Sequence, residues 1–158
     1  MDILDDEIID LFKALNDHSV KYILVGGFAT ILNGGSRFTE DVDIWIENSV
    51  ENRKNLNRAL MQTGLPNMPQ IETIDFVAGW SSITLSSGFM LDIMTSLKGF
   101  KEENFSECHK LANEALIGNV QIKFLHINQL IAEKKATNRF KDLADIEELE
   151  KIKKQKGL

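Results

Sequence analysis

Three carboxylates carry the clearest chemical signal in the chain. Asp41 and Asp43 stand two apart in Asp41-Val42-Asp43-Ile44-Trp45-Ile46, and in a strand that spacing points both to one face. Asp92 lies within Phe89-Met90-Leu91-Asp92-Ile93-Met94, an otherwise apolar run in which an unpaired acid is expensive to bury. Mg²⁺ prefers a few carboxylates completed by water and phosphate oxygens. Two such ions about 4 Å apart can activate a hydroxyl and stabilise a leaving pyrophosphate. The plainer alternative is that these acids stand in water at strand ends.

The residues upstream weigh toward the first reading. Tyr22-Ile23-Leu24-Val25 is a short buried strand by its apolar run, and it stops at Gly26-Gly27. Lacking a Cβ, these glycines allow a sharp turn and close approach to a ligand, and they open a helical stretch at 28–32. A tight strand-to-helix turn with no ligand would use the same pair. The loop ahead of the acids supplies Ser36, Arg37 and Thr39, two hydroxyls and a guanidinium. Arg37 suits a bidentate grip on a triphosphate oxygen, or equally an ion pair with Glu40 or Asp41.

The remaining pattern describes what must position these groups. Apolar residues at helical spacing predict an amphipathic helix over 3–15, and Asn48 or Ser49 caps a helix over 50–62. Both prolines fall in a loop at 63–69. Strands over 82–85 and 89–94 are joined by Ser86-Ser87-Gly88, and strands over 115–117 and 120–125 by Gly118-Asn119. The stretch 104–111 is ambiguous. Helices follow over 127–136 and 141–154, with a turn at 138–140 between them. Trp45 suits the core better than base stacking, and Trp80, near a loop, is one aromatic only and no stacking platform. His18, His109 and His126 lack metal-ligand spacing, and Cys108 beside His109 is no dyad by adjacency alone.

The 158 residues suit one domain, with 43% hydrophobic content enough for a core and no internal repeat. The net charge of −6 argues against a protein that coats nucleic acid, although a local basic groove from Lys134, Lys135, Arg139 and Lys141 is compatible with it. A single cysteine excludes an intrachain disulfide and a cysteine-based zinc site and fits a reducing cytoplasm. The sequence has no apolar run of membrane-spanning length, and its acidic start lacks the basic segment of a signal peptide.

Gly26-Gly27, thirteen intervening residues, Asp41-Val42-Asp43 and a later strand acid at Asp92 together resemble the nucleotidyltransferase superfamily that shares the DNA polymerase β palm. The resemblance covers about residues 20–97. It implies an α+β fold, a short mixed β-sheet flanked by helices, with C-terminal strands and a helical hairpin over about 112–154 completing one domain over 1–158. Asp41, Asp43 and Asp92 would be the catalytic metal ligands for Mg²⁺, or Mn²⁺ in its place, and Gly26, Gly27, Ser36, Arg37 and Thr39 would bind the nucleotide.

The later stretch from Leu130 to Asp145, including Lys134 and Arg139-Phe140-Lys141-Asp142-Leu143-Ala144-Asp145, resembles the tail of AbiEii-type and related small bacterial nucleotidyltransferases, which include abortive-infection toxins. Asn138 and Phe140 depart from the glycine and proline more usual there. The resemblance brings Lys134 to the nucleotide phosphates and has Lys141 and Asp142 line or brace the same site. From the residues alone the stretch is a solvated charged hairpin, with Lys141 and Asp145 as an i,i+4 pair. The activity implied is transfer of a nucleoside monophosphate from an NTP to a hydroxyl of tRNA, protein or a small molecule. A toxin-like role implies an antitoxin partner. A protein of the same fold that binds nucleotide or partner without turnover is the rival reading, and no membrane association is expected.

Overall fold

The computed structural model describes residues 5–77 and 81–158, so Ile3, Leu4 and Trp80 lie outside the described residues. Six strands form one mixed sheet in the order β3-β4-β2-β1-β6-β5. They are β1 (Tyr22–Val25), β2 (Asp41–Ile46), β3 (Ser82–Thr84), β4 (Met90–Met94), β5 (Asn113–Ile117) and β6 (Val120–Phe124). β1 and β2 are antiparallel, with Val25 opposite Asp43. β2 and β4 are parallel, with Asp41 opposite Met90, Asp43 opposite Asp92 and Trp45 opposite Met94. β6 joins the far side of β1 in parallel, and β3 and β5 form the two hairpins as antiparallel edges.

The helices follow from their apolar faces and caps. α1 (Asp6–Asp17) buries Ile8, Leu11, Phe12, Ala14 and Leu15, a helical stripe that packs on α3 (Val50–Gln62) and β6. The Ser49 hydroxyl accepts the Asn52 amide at 3.1 Å and starts α3. The ambiguous stretch is helical, a 3₁₀ turn followed by α4 (Phe105–Leu111). α4 brings Phe105 edge-on against Trp45, which is fully buried, so Trp45 is a core residue and not a stacking platform.

α2 (Gly26–Leu32) begins at the glycines themselves, two residues earlier than the pattern predicts. α2 packs on β1, β2 and α5 (Ile127–Thr137). The His126 ring caps α5 by accepting the Asn128 amide. Asn138, in the left-handed conformation at φ 50°, ends it and turns the chain into α6 (Phe140–Gln155), which packs on α5. None of the described helices is long and apolar enough to cross a membrane.

Candidate functional site

Strand alternation builds one wall of a cavity of about 360 Å³. Val42, Ile44, Leu91 and Ile93 are fully buried, so the intervening Asp41, Asp43, Asp92 and Met94 share the other face, and all four line the cavity. Parallel neighbours lie roughly 4.8 Å apart, which sets the Asp43 and Asp92 side chains against each other. The Ser82 hydroxyl donates to Asp92 Oδ1 at 2.8 Å.

The glycine pair makes room for this wall. Gly26 has φ +68°, and a Cβ there would collide with Asp43 Oδ2 and lie 2.9 Å from Asp43 Cγ. A Cβ at Gly27 would lie 2.7 Å from both Cβ and Oγ1 of Thr39. The glycines therefore admit Asp43 and Thr39 before any ligand is considered. Thr39 in turn steadies the start of β2, its hydroxyl donating to the Asp41 carbonyl at 3.2 Å.

Helical residues build the rest. Glu133, Lys134 and Thr137 of α5 line the cavity together with Arg37, Arg139 and Lys141. Lys134, whose side chain is only 2% exposed, donates to Asp145 Oδ2 at 2.9 Å. Arg37 donates to the same oxygen at 2.8 Å. Arg37 thus pairs with neither Glu40 nor Asp41, and Asp145 is held by Lys134 and Arg37 where helical spacing suggested Lys141. Among the described residues Lys141 has no ion pair.

Two residues expected to bind nucleotide, Ser36 and Asp142, are not part of the cavity lining. Ser36 is held by Glu148, whose Oε1 accepts from both its amide (2.8 Å) and its hydroxyl (2.9 Å). Asp142 is fully buried and accepts from Arg139, at the backbone N–H (3.0 Å), Nε (2.8 Å) and Nη2 (3.2 Å), so it braces the turn into α6. Glu133 was missed by the sequence reading. Its signal was its place on one helical face with Lys134 and Thr137.

The electrostatics favour a cation. Burial first, then Asp92, Asp41 and Glu133, push the Asp43 pKa up to about 7, with Arg37 opposing. Among the described residues no three His, Cys, Asp or Glu side chains already converge as a metal shell. The donor set nevertheless fits a hard dication, which takes one or two carboxylates and fills its remaining positions with water and phosphate oxygens. The space that Gly26 leaves for Asp43 also fits this.

The histidines and the cysteine stand elsewhere. His18 pairs with Gln62, and His109 stacks on Phe105. Cys108 is buried, which raises its thiol pKa.

The fold matches solved nucleotidyltransferase structures. An antigenic nucleotidyltransferase-like protein from Paracoccidioides brasiliensis superposes with a TM-score of 0.55 at 21% identity, over 92% of this chain and 76% of that one. The lincomycin-bound lincosamide antibiotic adenylyltransferase LnuA superposes with a TM-score of 0.57 at 14% identity, over 94% and 97%. No sequence match to a curated protein was found. Residues 2–155 match the family described as nucleotidyltransferase of unknown function (DUF6036), and over that length the chain belongs to this nucleotidyltransferase family.

Proposed function

We propose that the protein transfers a nucleoside monophosphate from an NTP to an acceptor hydroxyl and releases pyrophosphate, with Mg²⁺, or Mn²⁺ in its place. The observation that carries this reading is the Asp43–Asp92 register across parallel strands, with Gly26 leaving room for the Asp43 carboxylate. Asp41, Asp43 and Asp92 would hold the metal, which supplies charge neutralisation on the triphosphate and activation of the hydroxyl. The chain's own part is positioning and charge, which phosphoryl-type transfers chiefly require. Gly26 and Gly27 let the backbone approach the phosphates. Lys141, Arg37 and Lys134 offer them positive charge, Asp145 fixing the last two and Asp142 the turn that carries Arg139.

The acceptor in this reading is tRNA or protein, on the strength of the AbiEii-like tail around Lys134 and Lys141-Asp142. Such an activity would fit a toxin with an antitoxin partner in the cytoplasm. A small-molecule hydroxyl is the second reading, supported by the near full-length fold likeness to a lincosamide adenylyltransferase. Incubation with each α-labelled NTP and Mg²⁺, offering tRNA, cell protein or lincomycin, tests both. Label that appears on one acceptor and vanishes in Asp43→Asn supports transfer to that acceptor. Mg²⁺-dependent NTP binding with no label and no pyrophosphate would favour a nucleotide-binding protein without turnover.

A further inference from the structure

Among the described residues each cation lining the cavity but one is already committed. Lys134 and Arg37 share Asp145, Arg139 is bound to Asp142, and Lys141 is the exception. The carboxylates divide differently. Asp41, Asp43 and Asp92 belong to the strand wall, whereas Glu133 reaches the same cavity from α5. Among the described residues the Glu133 carboxylate makes no hydrogen bond or ion pair, and the Thr137 hydroxyl donates to its backbone carbonyl at 3.0 Å. Glu133 is half-buried, and inside the cavity its carboxylate has lost part of its water without gaining a donor from the chain. A ligand that brings a donor would relieve it.

We infer that Glu133 is the acceptor-side catalytic residue, its carboxylate accepting the hydrogen bond of the attacking hydroxyl and then its proton. The inference rests on the transfer reading above and adds to it a carboxylate that enters the cavity from α5, outside the strand wall. In the step, the acceptor oxygen bonds to the α-phosphorus as its proton passes to Glu133. The bond from α-phosphorus to the bridging oxygen breaks, and its electron pair leaves with pyrophosphate. The surroundings suit a proton acceptor: burial, then Asp142, raise the affinity of Glu133 for a proton, while Lys134, Arg139 and Arg37 oppose. Asp43 lines the same cavity from β2, and the Glu133 charge is one of the causes that raise its affinity for a proton. A hydroxyl donor, and not an anionic group, is the chemistry this position takes.

The test compares wild type, Glu133→Gln, Glu133→Ala and Asp43→Asn, each first shown to be folded by thermal unfolding. Mg²⁺-dependent NTP binding is measured by calorimetry, and single-turnover pyrophosphate release is followed with water and then glycerol as hydroxyl probes. Glu133→Gln is expected to bind NTP within about twofold of wild type and to release pyrophosphate about 100-fold more slowly or worse, the range of a lost general base. Release at the wild-type rate in Glu133→Gln, with Asp43→Asn inactive, would overturn the role of Glu133 and leave the transfer reading standing. Loss of NTP binding in Glu133→Gln to the same degree as in Asp43→Asn would make it a metal- or nucleotide-side group and also overturn it. A folded wild type that binds no NTP would remove the transfer reading itself, and this inference with it.

Discussion

The carboxylate of Asp43 occupies the space in which a side chain on Gly26 would begin. The two residues are seventeen apart in sequence, yet the antiparallel pairing of β1 with β2 sets Val25 opposite Asp43 and brings the next residue onto the carboxylate. Gly26→Ala therefore faces two separate penalties. The left-handed backbone at φ +68° costs about 1–2 kcal/mol for an L side chain, and the new methyl must displace Asp43. Gly88→Ala is the control, since its φ is +96° but nothing lies within 4 Å of its Cβ position. Urea unfolding should show both variants destabilised. Metal-dependent NTP binding should fail only in Gly26→Ala.

Asp43 also ties stability to pH. Its pKa rises from 3.8 in the unfolded chain to about 7 in the fold, so the folded state holds the proton more tightly. Its stabilising effect is complete below about pH 4 and is lost as pH rises through about 7. Without metal, the melting temperature should fall over that interval, and Glu133, shifted the same way, adds to the slope. Asp43→Asn should flatten most of the decline. Mg²⁺ should restore stability near pH 7.5 in wild type and not in the variant. A wild-type melting temperature insensitive to pH between 4 and 7 would contradict this account of the buried carboxylate.

The parts of the site legible in sequence were those with a local signature. Asp41 and Asp43 share a face by strand period, and Gly26-Gly27 end an apolar run. The short strands and the two hairpins were also readable from apolar segments and turn residues, whereas the mixed sheet that joins them was implied only by the family resemblance. The partners of Arg37 were not readable, because Asp145 lies 108 positions away and reaches it only once α6 has packed on α5. Lys134 shows the limit most clearly. By composition it belongs to a solvated charged helix, but the fold buries it against Asp145. Glu133 escaped notice for the same reason, since only the docking of α5 decides which of its charged residues meet the strands. Ser36 matched a phosphate-loop pattern by type, whereas the fold gives its hydroxyl to Glu148.

Asp145 joins the loop before β2 to the helical hairpin. One of its oxygens accepts from both Lys134 and Arg37. Asp145→Ala would leave the Lys134 ammonium buried and unpaired, a change of the kind that costs about 3–5 kcal/mol. Glu148→Ala, which frees only the exposed Ser36 from its clamp, should cost about 1 kcal/mol or less. Equal stability losses in the two variants, measured by urea unfolding, would show that the buried ion-paired cluster does not hold the hairpin down.

Lys141 offers the sharpest separation of binding from stability. It lines the cavity from the first turn of α6, is exposed, and has no ion pair among the described residues. Its replacement therefore breaks no contact that holds the fold, and Lys141→Ala should keep the wild-type melting temperature within about a degree, as is usual at surface sites. Its free ammonium should instead be felt by the ligand with the most negative charge. Calorimetry on the tri-, di- and monophosphate of one nucleoside, with Mg²⁺, should show the triphosphate weakened about tenfold, the size of one charge-assisted contact. The monophosphate should change least, and the preference for triphosphate should narrow further as salt is raised. Equal weakening of all three nucleotides would place Lys141 at the nucleoside and not along the phosphates.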